Sequence, residues 1–434
     1  MYWRMELKMK QIEIKGLNEI IYYDKASCGL PIYMWQNKNR TQYYLSLGVK
    51  YGSNDTDYKI GGKTYHDPKG IAHYLEHLKF NESDNFSAND FFEANGSSSN
   101  AFTTYDYTNY EVIGTECFSE NLNHLLDFVF TPFFKTKLIN KERGIITEEI
   151  KMGLDNPYNK LYYDFYKSVF KNYNYGYEIA GTVDDIKKID LKSIKRVYNT
   201  FYVPDNMFLI ITGNFNPYEA VEIVNTNLKN KKFLPTEEAK KIIKKEPNKV
   251  VLKEKTIKGN VEIPKVKLGI KIPKNRFKNI DNEVILICIS MILKSNFGAT
   301  SSFQEFLLQN RLVEFINFSR EIYNDYILIT FTFESRIPEE AIKLIIDKLN
   351  NLEVDKDSIE RRRNVNVANI ILDYDNIMCV NSNIQTSIVK DGKITDNLKE
   401  IFENISLENV QDIKDKLTFN MDQIAVVKLI PKTD

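Results

Sequence analysis

Apolar positions in the first 230 residues switch between two periods. Short apolar runs at Ile20–Tyr23 and Ile32–Trp35 flank a Cys28-Gly29 turn, which predicts a β-hairpin. Tyr43–Val49 is strand-like, and so is Phe208–Thr212, which Gly213 and Pro217 close. Between them the period lengthens to that of a helix at Ile71–Phe80, at Leu122–Phe130 with Ser119 as its cap, and at Lys141–Met152. A further helix lies within Ile186–Tyr202 and ends before Pro204. The same two periods return later. Val266–Ile272, Tyr326–Phe333 and Ile424–Leu429 read as strands, and Glu283–Leu293, Ser301–Asn310 and Glu339–Leu352 as helices. The pattern predicts two α+β domains, 11–230 and 259–434, with sequence identity between them too weak to establish a repeat.

The segment 231–258 between them is rich in Lys and Glu, contains Pro235 and Pro247, and has few large apolar groups. It reads as an exposed linker, part of it a solvated helix. Arg361-Arg362-Arg363 reads as the solvated face of another helix.

Composition narrows the function. The chain has 434 residues, with Lys+Arg 59 balanced by Asp+Glu 59. A nucleic-acid binder needs a basic surplus, and so does a polybasic membrane anchor; neither is expected. A hydrophobic content of 43% with 12% aromatics is that of a globular chain. The N-terminus, MYWRMELKMKQIEIK, is charged throughout, and no apolar run is long enough to span a membrane. Cys28, Cys117, Cys288 and Cys379 are far apart and show no C-x-x-C spacing, so buried free thiols are expected rather than disulfides or a thiolate metal site. These features predict a cytoplasmic protein.

One constellation carries chemistry. Gly70-Ile71-Ala72-His73-Tyr74-Leu75-Glu76-His77-Leu78 contains H-x-x-E-H. On a helix His73 and His77 lie one turn apart on one face, so both can reach one metal ion. Glu76 projects beside them, where it can take a proton from water. Two neutral imidazoles, an open coordination position and a carboxylate base are what zinc hydrolysis needs. The motif is the inverse of H-E-x-x-H. The chain has only 4 histidines, and the chance of this pattern arising by coincidence is on the order of a few tenths of a percent. His66, in a polar loop, and His124, on an apolar helix, read as structural. A third protein ligand is required, and no histidine follows His124. Carboxylates on the segment Glu142–Ile150 suit the role; Glu142 and Glu149 share a helix face, and spacing leaves both open. The same ligand set would accept manganese or cobalt.

With these residues the sequence resembles the pitrilysin/insulysin-type zinc metallopeptidases, a family that includes the mitochondrial processing peptidase. Gly70–Phe80 matches the family's zinc helix. Ser98-Ser99-Asn100-Ala101-Phe102-Thr103 with Thr108-Asn109-Tyr110 matches its substrate-edge strand. Glu142-Arg143-x-x-Ile146-x-x-Glu149 matches its second metal helix. Gly181-Thr182, Phe201-Tyr202-x-Pro204-x-Asn206-Met207 and Gly213 match the end of its first domain. The likeness covers nearly all of residues 15–220; after residue 260 it is one of general pattern.

The resemblance implies that His73, His77 and Glu149 hold one Zn2+ per chain. It implies that Glu76 is the catalytic base, and that Glu142 joins the catalytic set as a carboxylate orienting a ligand or tuning the water. Ser99, Asn100, Ala101, Phe102 and Thr103 become substrate-binding residues on an exposed edge strand, where an extended peptide can pair through main-chain hydrogen bonds. The implied fold is two similar α+β domains forming one half of a clamshell. A second chain would close it into a chamber that admits short or unfolded peptides.

One departure bears on that partner. Active members usually present an arginine and, seven residues on, a tyrosine from the second domain, which steady the tetrahedral intermediate. At those positions this chain carries Leu307 and Glu314, with Arg311 the nearest cation and Phe318 seven beyond it. The expectation is a zinc endopeptidase working as the catalytic subunit of a heterodimer whose partner supplies the missing pair. Alternatives are a homodimer with altered backbone contacts, a protease dedicated to one leader peptide, and a non-catalytic structural subunit of the same fold.

Overall fold

The computed structural model describes residues 9–233 and 238–432; the charged N-terminal stretch 1–8 and Pro235 lie outside the described residues. The strands are β1 (Lys10–Ile14), β2 (Glu19–Lys25), β3 (Pro31–Gln36), β4 (Tyr43–Val49), β5 (Asp57–Ile60), β6 (Lys63–His66), β7 (Ser98–Thr103) and β8 (Thr108–Gly114). They continue as β9 (Met207–Gly213), β10 (Lys240–Lys241), β11 (Glu254–Gly259), β12 (Lys265–Pro273), β13 (Phe315–Ile322), β14 (Tyr326–Glu334) and β15 (Ile424–Pro431). The first five helices are α1 (Ile71–Lys79), α2 (Ala88–Ala94), α3 (Phe118–Phe130), α4 (Thr136–Asp155) and α5 (Pro157–Val169).

The chain forms two compact α+β units, and each draws on separate stretches of sequence. The first comprises Met1–Ile150, Glu178–Ile243 and Ile370–Leu398; the second comprises Lys151–Tyr177, Lys244–Asn369 and Lys399–Asp434. This differs from the contiguous division 11–230 and 259–434, because local periodicity does not reveal which sheet a helix will cover.

The first unit is built on a seven-stranded sheet in the order β1-β2-β3-β9-β4-β8-β7. Only β3 and β9 pair in parallel, and β2–β3 is the expected hairpin, with Tyr22 opposite Met34. Side chains alternate between two apolar layers, as the strand period requires. Ile32, Met34, Leu45, Leu47, Leu209 and Ile211 join the helices of one face, α1 and α3 among them. Tyr33, Trp35, Tyr44, Phe208 and Ile210 meet Ile377, Val380, Ile384 and Ile388 of the helix Ile377–Asp391 on the other. That helix arrives from more than 160 residues downstream, and Thr212 donates its hydroxyl to the Ile377 carbonyl at 2.8 Å, across 165 residues of sequence.

The second unit has a five-stranded sheet, β11-β15-β12-β14-β13, in which only β11 and β15 run parallel. Leu161, Phe165, Tyr166 and Val169 of α5 pack on Leu328, Ala425, Val427 and Leu429. The apolar helix Asn282–Phe297 is the expected buried helix, and its Phe297 ring sits 4.7 Å from Phe331.

Several local expectations change. The helix at 118 begins one residue before Ser119, after Cys117 in left-handed backbone; Ser119 is inside it and donates to Glu219 at 2.8 Å. Within the presumed linker 231–258 the described residues contain no helix; Lys240–Lys241 pairs with β5, and Glu254–Gly259 forms β11. Glu246 in that segment is fully buried, 2.8 Å from the equally buried Lys271. A charged sequence there partners a buried charge, which composition does not disclose. Nor is the arginine triplet simply solvated: Arg362 donates to Ser295 at 3.0 Å and Arg363 to the Ile405 carbonyl at 3.3 Å.

Candidate metal centre

The site is assembled from α1, β7 and the part of α4 up to Ile150, all within the first unit. Helix α1 starts at Gly70, whose φ is +85°; a Cβ there would lie 2.1 Å from the Ala180 carbonyl oxygen. Gly181, at φ +75°, approaches Lys69 in return, so two glycines let two backbone segments touch where α1 begins. Ile71, Ala72, Leu75 and Leu78 fix the apolar side of α1 in the core. Tyr74, buried among them, donates its hydroxyl to the Ile139 carbonyl of α4, which ties the two helices together. Ile146 and Ile150 bury the inner side of α4 and leave Glu149 half-exposed on the face toward α1.

His73 Nε2 lies 3.6 Å from Glu149 Oε1, and His77 Nε2 lies 3.6 Å from Glu149 Oε2. Ligand atoms of the three residues all fall within 4.8 Å of one another. These separations are too long for hydrogen bonds. They are close to the roughly 3.3 Å between neighbouring ligands of a tetrahedral zinc ion with bonds near 2.0–2.1 Å. Burial, reinforced by the neighbouring His77, pulls the His73 pKa down to about 3, which keeps its imidazole in the neutral form that ligates metals. Among the described residues His73 Nδ1 is buried with no hydrogen-bond partner. Converging acceptors that do not bond to one another, on a neutral imidazole, fit a divalent cation. The sequence left Glu142 and Glu149 open by spacing; the structure brings Glu149 to the imidazole pair and puts Glu142 behind it.

Glu142 is buried, with Oε2 3.6 Å from His77 Nδ1. Burial lowers the His77 pKa, but the Glu142 carboxylate beside the ring and the charges of Glu76 and Glu149 outweigh it and leave a net rise. With the Glu142 carboxylate on the Nδ1 side, the ring turns Nε2 toward Glu149. Asn81, which the sequence reading missed, approaches Glu142 Oε1 with its amide at 3.5 Å and the His77 carbonyl at 3.4 Å. Its place just past the helix end is its only sequence signal.

Glu76 is buried beside the pair and accepts a 2.6 Å hydrogen bond from Thr103 Oγ1. Burial raises its pKa, opposed by the Thr103 bond and by His77. Among the described residues β7 pairs with β8 alone, which leaves its other edge open along Ser99–Phe102. Thr103 at its end turns its side chain inward, buried, toward Glu76 rather than along the open edge. His66 and His124 stand apart from the site: His66 Nδ1 lies 2.8 Å from Asp57, and His124 stacks on Phe91 with its Nε2 2.9 Å from Glu82. In the second unit Leu307 is fully buried, and Glu314 faces Arg336 at 3.6 Å.

Residues 36–183 match the insulinase (peptidase family M16) model, and residues 188–366 match the peptidase M16 inactive domain. The uncharacterised zinc protease YmfH of Bacillus subtilis (strain 168) is 37% identical over 235 residues, 54% of this chain and 55% of that protein. Zinc protease PqqE of Helicobacter pylori is 30% identical over 198 residues, 43% of this chain and 45% of its own length. The chain thus spans about half the length of the curated relatives it matches. An M16-like peptidase from Alicyclobacillus acidocaldarius superposes with a TM-score of 0.88 at 24% identity, covering 96% of this chain and 99% of that one. Pitrilysin superposes with a TM-score of 0.73 at 13% identity, over 98% of this chain and 46% of its own. At these identities the structural likeness speaks for the fold, and together with the two family matches it identifies the chain as a member of the M16 peptidase family.

Proposed function

We propose that this protein is a zinc-dependent endopeptidase that hydrolyses short or unfolded peptides. The observation that supports the reading most is the convergence of His73, His77 and Glu149, with Glu76 buried alongside. Those three residues would hold one zinc ion, which when bound supplies Lewis-acid polarisation of a peptide carbonyl and acidifies a water. Glu76 takes the proton from the attacking water and returns it to the leaving amine. Its pKa, raised by burial, suits both halves of that role. Glu142 holds the His77 ring in register. The open edge of β7 receives the substrate as an added strand, aligning it by main-chain hydrogen bonds with little demand on sequence.

The catalytic half-site is this chain's contribution, and we assign the rest of the chamber to a second family subunit. Two observations favour a different chain over a second copy. Leu307 is core, and Glu314 is engaged by Arg336, so neither position offers the cation and phenol that steady a tetrahedral intermediate.

The test is incubation of the zinc-loaded chain with a mixture of unfolded peptides, read by mass spectrometry. Fragments are expected from the wild type and none from Glu76→Gln, with zinc retained in both. Equal cleavage by the two would refute the mechanism. A chain that binds zinc and cleaves only after a partner is added supports the divided site.

A further inference from the structure

We propose that Thr103 is a positioning residue for the general base: its hydroxyl fixes Glu76 Oε2 and reserves Oε1 for the proton taken from water. The inference rests on the peptidase reading above and assigns a role to a side chain outside the metal-binding set.

Three observations carry it. The first is the bond itself. Thr103 Oγ1 lies 2.6 Å from Glu76 Oε2, and both groups are buried. No other side chain among the described residues hydrogen-bonds to Glu76. A carboxylate base held by a single donor owes its orientation to that donor, and charge-assisted bonds of this length are the strong class.

The second is the direction of the hydrogen. Thr103 Oγ1 also lies 3.3 Å from Thr108 Oγ1. The Thr108 hydroxyl, however, donates to the Tyr51 carbonyl at 3.0 Å. A hydroxyl has one hydrogen. With Thr108 committed to Tyr51, the Thr103 hydrogen goes to the shorter, charged acceptor. Oε2 is then occupied by a donated bond, and the proton that Glu76 acquires resides on Oε1. The same oxygen is therefore free both to receive the proton from water and to release it to the leaving amine.

The third is placement. Thr103 is the last residue of β7, paired with Thr108 of β8, and β7 is the edge strand of the sheet. One strand thus carries both the peptide-receiving edge and, at its last residue, the hydrogen bond to the base. A substrate that straightens or shifts the end of β7 changes the aim of Glu76 directly.

The experiment compares wild type, Thr103→Val, Thr103→Ser and Glu76→Gln. Valine keeps the shape of threonine and removes the hydroxyl; serine keeps the hydroxyl. Thr103→Val is expected to lower kcat by about 10- to 100-fold, the range for a lost hydrogen bond to a charged group, with KM and zinc content unchanged. Thr103→Ser is expected to recover most of that loss. Crystal structures of the metal-free variants give a readout independent of activity: the Glu76 carboxylate should leave its wild-type position with valine and keep it with serine. Should Thr103→Val fail to fold, Thr103→Ala carries the same comparison.

Wild-type activity that is lost in Glu76→Gln and kept in Thr103→Val overturns the inference alone. So does a loss confined to KM, or one that serine does not restore. A wild-type chain that neither binds zinc nor cleaves overturns the peptidase reading itself, and for a chain that binds zinc but is inert alone the position of Glu76 in the metal-free crystals decides.

Discussion

His77 Nδ1 lies 3.6 Å from Glu142 Oε2, and this contact on one side of the ring sets the direction of Nε2 on the other. The imidazole is a relay between a buried carboxylate and the place where Glu149 and His73 converge. Removing Glu142 should therefore loosen the site without emptying it. Glu142→Ala is expected to weaken zinc affinity by about 10- to 100-fold, measured by competition with a chromogenic chelator. His73→Ala and Glu149→Ala should lose stoichiometric zinc altogether. Wild-type affinity in Glu142→Ala would mean that the ring is held by packing alone.

Gly70 should resist any side chain. Its positive φ disfavours an L residue, and a Cβ would run into the Ala180 carbonyl, a backbone atom that cannot swing aside. Gly70→Ala is expected to cost more than about 2 kcal/mol of stability, from left-handed strain and the clash together. Chemical denaturation checks the loss, and a wild-type midpoint would show that the Ala180–Gly181 segment can retreat.

Lys271 and Glu246 are both fully buried and face each other at 2.8 Å. Glu246 also accepts from the Lys171 and Asn172 amides at 2.8 and 2.7 Å. Glu246→Gln would leave a buried ammonium without its counter-charge, at a cost of about 3–5 kcal/mol. Lys271→Met leaves Glu246 its two amide donors, so the expected loss is smaller. Guanidinium titration of both variants gives the order, and the reverse order would refute this account.

Asp55 supplies a stability signal in mildly acidic solution. It is buried against Lys241 at 2.8 Å, and burial pushes its carboxyl up to about 6 despite that partner. The folded value lies above the ordinary 3.8, so the folded chain holds this proton more tightly. The associated stability is fully present below about 4 and is lost as pH rises through about 6, on the order of 3 kcal/mol in all. Wild type should thus gain melting temperature between pH 7 and 5 relative to Asp55→Asn. Parallel profiles for the two proteins would remove Asp55 as the source.

How much was legible depended on whether the signal was local. The H-x-x-E-H spacing puts His73 and His77 on one helix face because four residues on a helix fix a face whatever surrounds it, and Ile71–Lys79 is that helix. The Cys28-Gly29 hairpin, the strand Tyr43–Val49 and the buried helix near Glu283–Leu293 were legible for the same reason. The sequence puts Thr103 on an edge strand, but the inward turn of its side chain depends on the packing of β7 against α1. Glu246 looked like one charge among many in a solvated stretch, because nothing nearby announces Lys271, 25 residues on.

The sequence by itself determined the family, the placing of the imidazole pair on one helix and the local elements around it, since periodicity and motif spacing are properties of neighbouring residues. The tertiary structure decided which carboxylate meets the imidazoles, since Glu142 and Glu149 share one helix face and only the docking of α4 on α1, pinned by Tyr74, distinguishes them. It also decided which sheet each late helix covers. Ile377–Asp391 returns to the first sheet because Tyr33, Trp35 and Phe208 present an apolar face there that some element must bury. That demand belongs to the assembled sheet and to no single stretch of chain.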